Sequence, residues 1–308
     1  MAWAGAGCRV RRRGLRVMLR PAGLPGGLAS LERTAVMGIC NVTPDSFADA
    51  ERYFGADAAV GHAEAMLASG ADLVDVGGES TRPGAGRVDL AEELRRVVPV
   101  VRRLANVGAH VSVDTIRSEV AKAAAEAGAC LINDVSGGLA DANMLRTVAA
   151  TTLPCVLTHW RGPSVGMDEL DNYTDPAREV SQELGERLAA ARRAGIDLAR
   201  VVLDPGLGFA KVGQTNWQVL AGLDKVVALG QPVLLGGSRK RFLRQALPAA
   251  TSAENPGQWD RVDAATAALS ALAAGAGLWC VRVHHVALNL DAVKVGHAWR
   301  IGATDQRP

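Results

Sequence analysis

Eight short apolar runs, each ending in polar residues and each followed by a longer stretch, constrain this chain more than any other feature. They cover residues 35–42, 72–76, 110–113, 130–132, 155–158, 200–203, 232–235 and 279–283. Continuous apolar runs this short read as strands buried on both faces. Helical patterns occupy 57–69, 90–105, 118–127, 176–194, 214–229 and 263–275. Gly70, Gly108, Gly128, Gly195 and Gly230 stand where helices should stop, as C-terminal caps. Buried strands alternating with helices indicate a parallel sheet covered by helices. Eight such units in 308 residues fit a single (β/α)8 TIM barrel better than a doubly wound open sheet.

The barrel is expected over residues 34–303. With 48% apolar and 4% aromatic residues, its core must be built from Val, Leu, Ile and Ala. A formal net charge of +2 gives no electrostatic ground for a nucleic-acid partner. Cys40, Cys130, Cys155 and Cys280 lie in apolar runs and share no C-x-x-C spacing, which suits small buried hydrophobes in a reducing, cytoplasmic setting. No apolar stretch approaches the roughly 20 residues of a membrane span. Residues 1–33 are arginine-rich, with no acid before Glu32 and no apolar core of a secretory signal. They read as a disordered extension, or as upstream sequence from a misassigned start with Met18 or Met37 as the true one. A nucleic-acid or membrane-surface arm is the minor reading.

In such a barrel the C-terminal ends of the strands build the active site. Taken in order, the endings supply Asn41, then Glu79 to Arg82, Asp114 with Thr115, Asn133 with Asp134, and His159. The last three supply Asp204, then Ser238, Arg239 and Lys240, then Arg282 with His284. One Asp after a strand is commonly a helix cap; eight polar endings on one rim indicate a site. Asp114, Asp204 and Asn133 close apolar strands, so they should sit low in the mouth, where buried carboxylates need donors. A flat heterocycle with an amino-pyrimidinone edge supplies paired N–H donors, and Asn133 with Lys240 can satisfy its acceptors. The bland reading is that Asp204 merely pairs with Lys240. Ser238, Arg239, Lys240, Arg282 and His284, facing Arg82, form an anion-binding set, with Ser238 as the N-cap of the following helix. Asn41 and Asp45 offer hard oxygen ligands of the kind Mg2+ takes alongside substrate phosphates.

The segments 37–47 (MGICNVTPDSF), 75–84 (DVGGESTRPG), 112–115, 132–135, 204–209, 237–241 and 282–284, in this order and spacing, resemble the dihydropteroate synthase family. The resemblance implies condensation of 6-hydroxymethyl-7,8-dihydropterin diphosphate with 4-aminobenzoate in folate biosynthesis, releasing diphosphate and 7,8-dihydropteroate. It implies that Asp114, Asn133, Asp204, Lys240 and Arg282 hold the pterin. Asn41, Thr81, Arg82, Arg282 and His284 would hold the diphosphate, with Mg2+ on Asn41. Thr81, Arg82, Pro83, Phe209 and Ser238 would surround the aminobenzoate, where sulfonamides act. Arg82, Asp114, Lys240 and Arg282 are the implied catalytic residues, and a homodimer through the late helices is implied as well. Cys40, Ala48, Ala50, Thr158, Trp160 and His285 depart from the family pattern. Two other readings are a methyltetrahydrofolate:corrinoid methyltransferase-like enzyme and a non-catalytic pterin-binding paralogue.

Overall fold

The apolar runs form eight parallel strands in the computed structural model, which describes residues 18–42, 54–79, 87–247 and 258–302. They are β1 (Ala35–Asn41), β2 (Leu73–Gly77), β3 (Val111–Asp114), β4 (Leu131–Asp134), β5 (Cys155–Thr158), β6 (Val201–Asp204), β7 (Leu234–Leu235) and β8 (Cys280–Val283). Their order in the sheet is β6-β5-β4-β3-β2-β1-β8-β7. A parallel bridge between Leu203 and Val233 brings the two ends together and closes the barrel. β-Branched residues dominate the strands because both faces are covered.

Alternation sorts the strand residues into two cores. Val74, Val76, Val111, Val113, Ile132, Leu157, Val201 and Leu203 point outward and pack under the helices. Ala35, Met37, Leu73, Leu131, Val156, Val202, Leu234 and Cys280 point inward and fill the lower barrel. Further along six of the strands the inward positions turn polar: Asp75 and Ser112, then Asp114, Asn133, Thr158, Asp204 and Arg282. The site therefore rests on an apolar foundation.

The helices are α1 (Gly26–Ala29), α2 (Phe54–Ala68), α3 (Leu90–Asn106), α4 (Ser118–Glu126), α5 (Met144–Ala150), α6 (Pro176–Arg193), α7 (Gln214–Ala221), α8 (Asp224–Val227), α9 (Arg241–Gln245), α10 (Gln258–Gly275) and α11 (Val286–Gly302). All five glycines expected as caps have positive φ, between 81° and 107°. The single helix expected over 214–229 is instead two, α7 and α8, broken at Gly222, whose backbone packs so closely on Ala177 that a Cβ there would approach it to 2.5 Å.

Residues 18–33 correct the expected boundary. Leu28 on α1 is buried in the inward core, with Leu24 and Leu31 packed beside it, and Arg33 forms a bidentate pair with Asp72 at 2.7 and 2.9 Å. The N–H of Ala22 donates to the carbonyl of Ala199 at 2.8 Å. This segment plugs the N-terminal face of the barrel, so the part of the extension from Met18 onward belongs to the fold. No helix among the described residues is long and apolar enough to cross a membrane.

Candidate active site

Four side chains from four strands share one hydrogen-bonded network at the floor of the mouth. The guanidinium of Arg282 (β8) donates through Nε to Asp75 Oδ2 (β2) at 2.6 Å and through Nη2 to Asp114 Oδ2 (β3) at 2.7 Å. Asn133 (β4) donates its amide to the same Asp75 oxygen at 2.8 Å. Asp75 is fully buried and Asp114 is 6% exposed. Burial drives the Asp114 carboxyl well above the ordinary carboxylate range, against the pull of Arg282 and with a further push from Asp75. The planar fork of arginine suits this double grip. It also leaves Asn133 and Asp114 with unused polar groups at the base of the mouth.

Across the mouth stand Asp204 and Lys240. Asp204 accepts the N–H of Gly206 at 2.7 Å, and burial raises its pKa although Lys240 counters the shift. Lys240 donates to the carbonyl of Leu207 and lies 4.5 Å from the centre of the Phe209 ring. Burial brings its ammonium down to about 8, while Asp204 acts to hold it charged. The lysine thus anchors the loop after β6 in addition to facing Asp204. Beside this pair a cavity of about 290 Å3 opens over Asp114, Thr115, Trp160 and Phe209, with an apolar lip that includes Ile116 and Val165.

Ser238 and His284 meet as expected from their places after β7 and β8: Ser238 Oγ lies 2.9 Å from His284 Nδ1 and accepts the His284 N–H at 3.1 Å. Ser238 is not a helix cap, however. Arg239 takes a left-handed conformation with φ 57°, which delays the helix, and Lys240 becomes the N-cap of α9. Arg239 turns away from the mouth onto Asp263, at 2.7 and 2.8 Å, and so leaves the expected anion-binding set. Asp134 points out of the barrel and accepts from Ser136 and Gly138, capping its own loop. His159 lies behind the rim, buried between Glu183 and Lys211.

Asn41 ends β1 beside Gly77, partly exposed. Thr81, Arg82, Pro83, Asp45, Ala48 and Ala50 lie outside the described residues. Among the described residues no group of three or more His, Cys, Asp or Glu is placed to hold a metal ion. Mg2+ does not require such a cage, since it keeps several waters and takes one or two protein oxygens together with substrate phosphates. Asn41 fits that mode as a single oxygen donor at the mouth.

Reading the strand endings missed Asp75 and Lys211. Asp75 carried a signal, a lone carboxylate inside an otherwise apolar strand at an inward position.

An eight-stranded barrel whose upper interior is lined by carboxylates, an amide and an arginine defines a class, the pterin-binding barrels. The chain belongs to the family of pterin binding enzymes, whose model matches residues 37–284. Within that family it groups with the dihydropteroate synthases. It is 51% identical to dihydropteroate synthase of Mycobacterium leprae over 271 residues, 88% of this chain and 95% of that one. A Streptococcus pyogenes dihydropteroate synthase is 45% identical over 85% of this chain and 94% of its own. Among solved structures, Xanthomonas albilineans dihydropteroate synthase with 4-aminobenzoic acid superposes with a TM-score of 0.78 at 43% identity, covering 90% of this chain and 95% of that chain. The same enzyme in complex with 7,8-dihydropteroate gives 0.76 at 40% identity, covering 91% and 96%.

Proposed function

We propose that this chain condenses 6-hydroxymethyl-7,8-dihydropterin diphosphate with 4-aminobenzoate, forming 7,8-dihydropteroate and diphosphate. The observation that carries this reading is the Asp75–Asn133–Arg282–Asp114 network opposite Asp204 and Lys240. It offers acceptors for the N–H donors of a pterin and donors for its ring oxygen and nitrogen. As diphosphate leaves, positive charge spreads from the exocyclic methylene into the ring, and the buried carboxylates favour that cation. Arg282, His284 and Ser238 on one side, with Arg82 and Thr81 by resemblance, receive the departing anion. Mg2+, held by Asn41 with the diphosphate, would neutralise charge on the leaving group. Phe209 and Ser238, with Thr81, Arg82 and Pro83 by resemblance, border the aminobenzoate, which makes a sulfonamide a competitor for that substrate.

The test is diphosphate release by the purified protein with Mg2+. Release that requires 4-aminobenzoate supports the reading, and release indifferent to it refutes the assignment.

Two further parts of the reading concern the molecule's setting. A homodimer through α10 and α11 is supported by Leu272 and Trp299, 72% and 80% exposed on that helix pair. Sedimentation of the wild type and of Trp299→Asp checks it, with a shift to monomer expected in the variant. A cytoplasmic location is supported by the buried, unpaired Cys40, Cys155 and Cys280.

A further inference from the structure

A second polar cluster lies behind the mouth, at the ends of β5 and β6; its side chains bond to none of the side chains assigned to the pterin, and the backbone joins the two sets, with the His159 N–H donating to the Asp204 carbonyl at 2.9 Å. Its centre is Lys211, 1% exposed. The Lys211 ammonium donates to His159 Nδ1 at 2.8 Å, to the Gly206 carbonyl at 3.0 Å and to the Phe209 carbonyl at 2.9 Å. An ammonium has three N–H groups and no acceptor, so every donor is used. His159 Nδ1 must then carry a lone pair, and its Nε2–H donates to Glu183 Oε2 at 2.9 Å. That fixes a neutral ring in one tautomer. Burial, reinforced by the charge of Lys211, holds the ring neutral by lowering its pKa to about 4.

The backbone is wound to fit this cation. Gly206, Gly208 and Ala210 have φ of 66°, 75° and 48°, so every second residue of the loop is left-handed. The winding turns the carbonyls of 206 and 209 toward Lys211 and sends that of Leu207 to Lys240. Ala210 is a non-glycine residue held in a conformation that L-residues seldom adopt. Asn216 completes the hold, accepting the Gly208 N–H at 2.7 Å and donating to the Lys211 carbonyl at 3.0 Å.

We infer that Lys211, with His159 as its acceptor, is a positioning residue that sets the pose of Phe209 and thereby the affinity for 4-aminobenzoate. This rests on the proposed function, in which Phe209 borders that substrate. The charge of Lys211 is what organises the loop: a neutral isostere leaves two carbonyls and a ring nitrogen buried without a donor. The charged and titratable groups around it are His159, Arg161, Tyr173 and Asp171 from β5 and the loop after it, Glu183 on α6, Asp204 on β6, and Lys240. Arg161 is itself held by Glu179 and Glu183. Burial, added to by the charge of Lys240, brings Lys211 down to about 7. The loop is therefore firmest below neutral pH and loses one of its three anchors as pH rises through that value.

Steady-state kinetics with both substrates, with Lys211→Met beside the wild type, tests this. The variant should raise KM for 4-aminobenzoate at least about fivefold, the scale of one unsatisfied buried acceptor, and change KM for the pterin substrate much less. In the wild type KM for 4-aminobenzoate should climb as pH passes neutrality, and Lys211→Met should remove that step. Hydrogen exchange of residues 206–212, corrected for intrinsic pH dependence, gives a readout free of turnover. It should quicken in Lys211→Met at pH 6.5, and in the wild type between pH 6 and 9. An unchanged ratio of the two KM values together with unchanged exchange overturns the proposal. A wild type that makes no dihydropteroate overturns the functional reading alone, and exchange then decides the role of Lys211. If Lys211→Met does not fold, the wild-type exchange profile decides it.

Discussion

Replacing Arg282 by Met keeps most of the side-chain volume and removes the charge that joins Asp75 to Asp114. Both carboxylates are buried, and their contacts to the guanidinium are 2.6 and 2.7 Å, so neither can turn to water without opening the barrel. Removing one partner of such a pair typically costs about 3–5 kcal/mol. The folded variant has one escape, which is to take up a proton. For a carboxyl with an unfolded pKa near 3.9, keeping a proton at pH 7 costs about 4 kcal/mol, and the cost falls by about 1.4 kcal/mol for each pH unit below that. The sign follows directly. A carboxyl whose folded pKa is raised binds more protons folded than unfolded, so stability falls as pH rises. Urea unfolding followed by tryptophan fluorescence should therefore show Arg282→Met destabilised by roughly 5 kcal/mol at pH 7.5 and by about 3 kcal/mol less at pH 5.5. Dihydropteroate formation should fall by orders of magnitude at both values. A loss below about 1 kcal/mol at pH 7.5, or an equal loss at both pH values, would refute the view that Arg282 neutralises two buried charges.

Lys240 is brought down to about 8 by burial, with Asp204 opposing. As pH rises through that value the ammonium loses its proton, so kcat/KM for the pterin substrate should decline above pH 8, and Lys240→Arg should move the inflection upward. Asn133→Leu removes the donor to Asp75 and leaves that oxygen with Arg282 alone. Pterin affinity measured by calorimetry should drop by about 1–3 kcal/mol. Leu28→Ala empties part of the plug beneath the barrel and should lower stability by about 2–5 kcal/mol in urea unfolding while leaving both KM values unchanged.

Local rules carried much of the architecture. The strands are continuous apolar runs, and Gly70, Gly108, Gly128, Gly195 and Gly230 end helices because a left-handed residue after a helix favours glycine. Asp114, Asn133, Asp204, Lys240 and Arg282 were legible as polar residues that close such runs. Other features depend on long-range closure. Asp75 stands out within its own strand, but its partner Arg282 lies 207 residues away, and only closure of the barrel brings the two together. Arg239 leaves the mouth because Asp263 on α10 draws it away, and that contact spans 24 residues. His159 sits at the end of its strand yet faces Glu183 and Lys211, because their side chains reach the barrel wall from α6 and the loop after β6. Residues 18–33 look like an arm if charge and glycine are counted, but Leu24, Leu28 and Leu31 recur through the segment, and these three leucines are what docks on the inward core.

The segment beneath the barrel has a mechanical meaning. The sheet's weakest joint is between β6 and β7, where one bridge, Leu203 to Val233, stands in place of a ladder. Leu19 lines a hollow with Val227, Pro232, Val233 and Trp279 on one side of that joint, while Ala22 bonds to Ala199 on the other. The chain thus runs as a strap across the seam before it enters β1. Unprotected sheet edges recruit foreign strands, and the strap covers this one at the strand beginnings. A chain cut back to Arg33 would keep every residue that faces the substrates, yet its first failure should be clumping through an opened seam while its chemistry stayed intact.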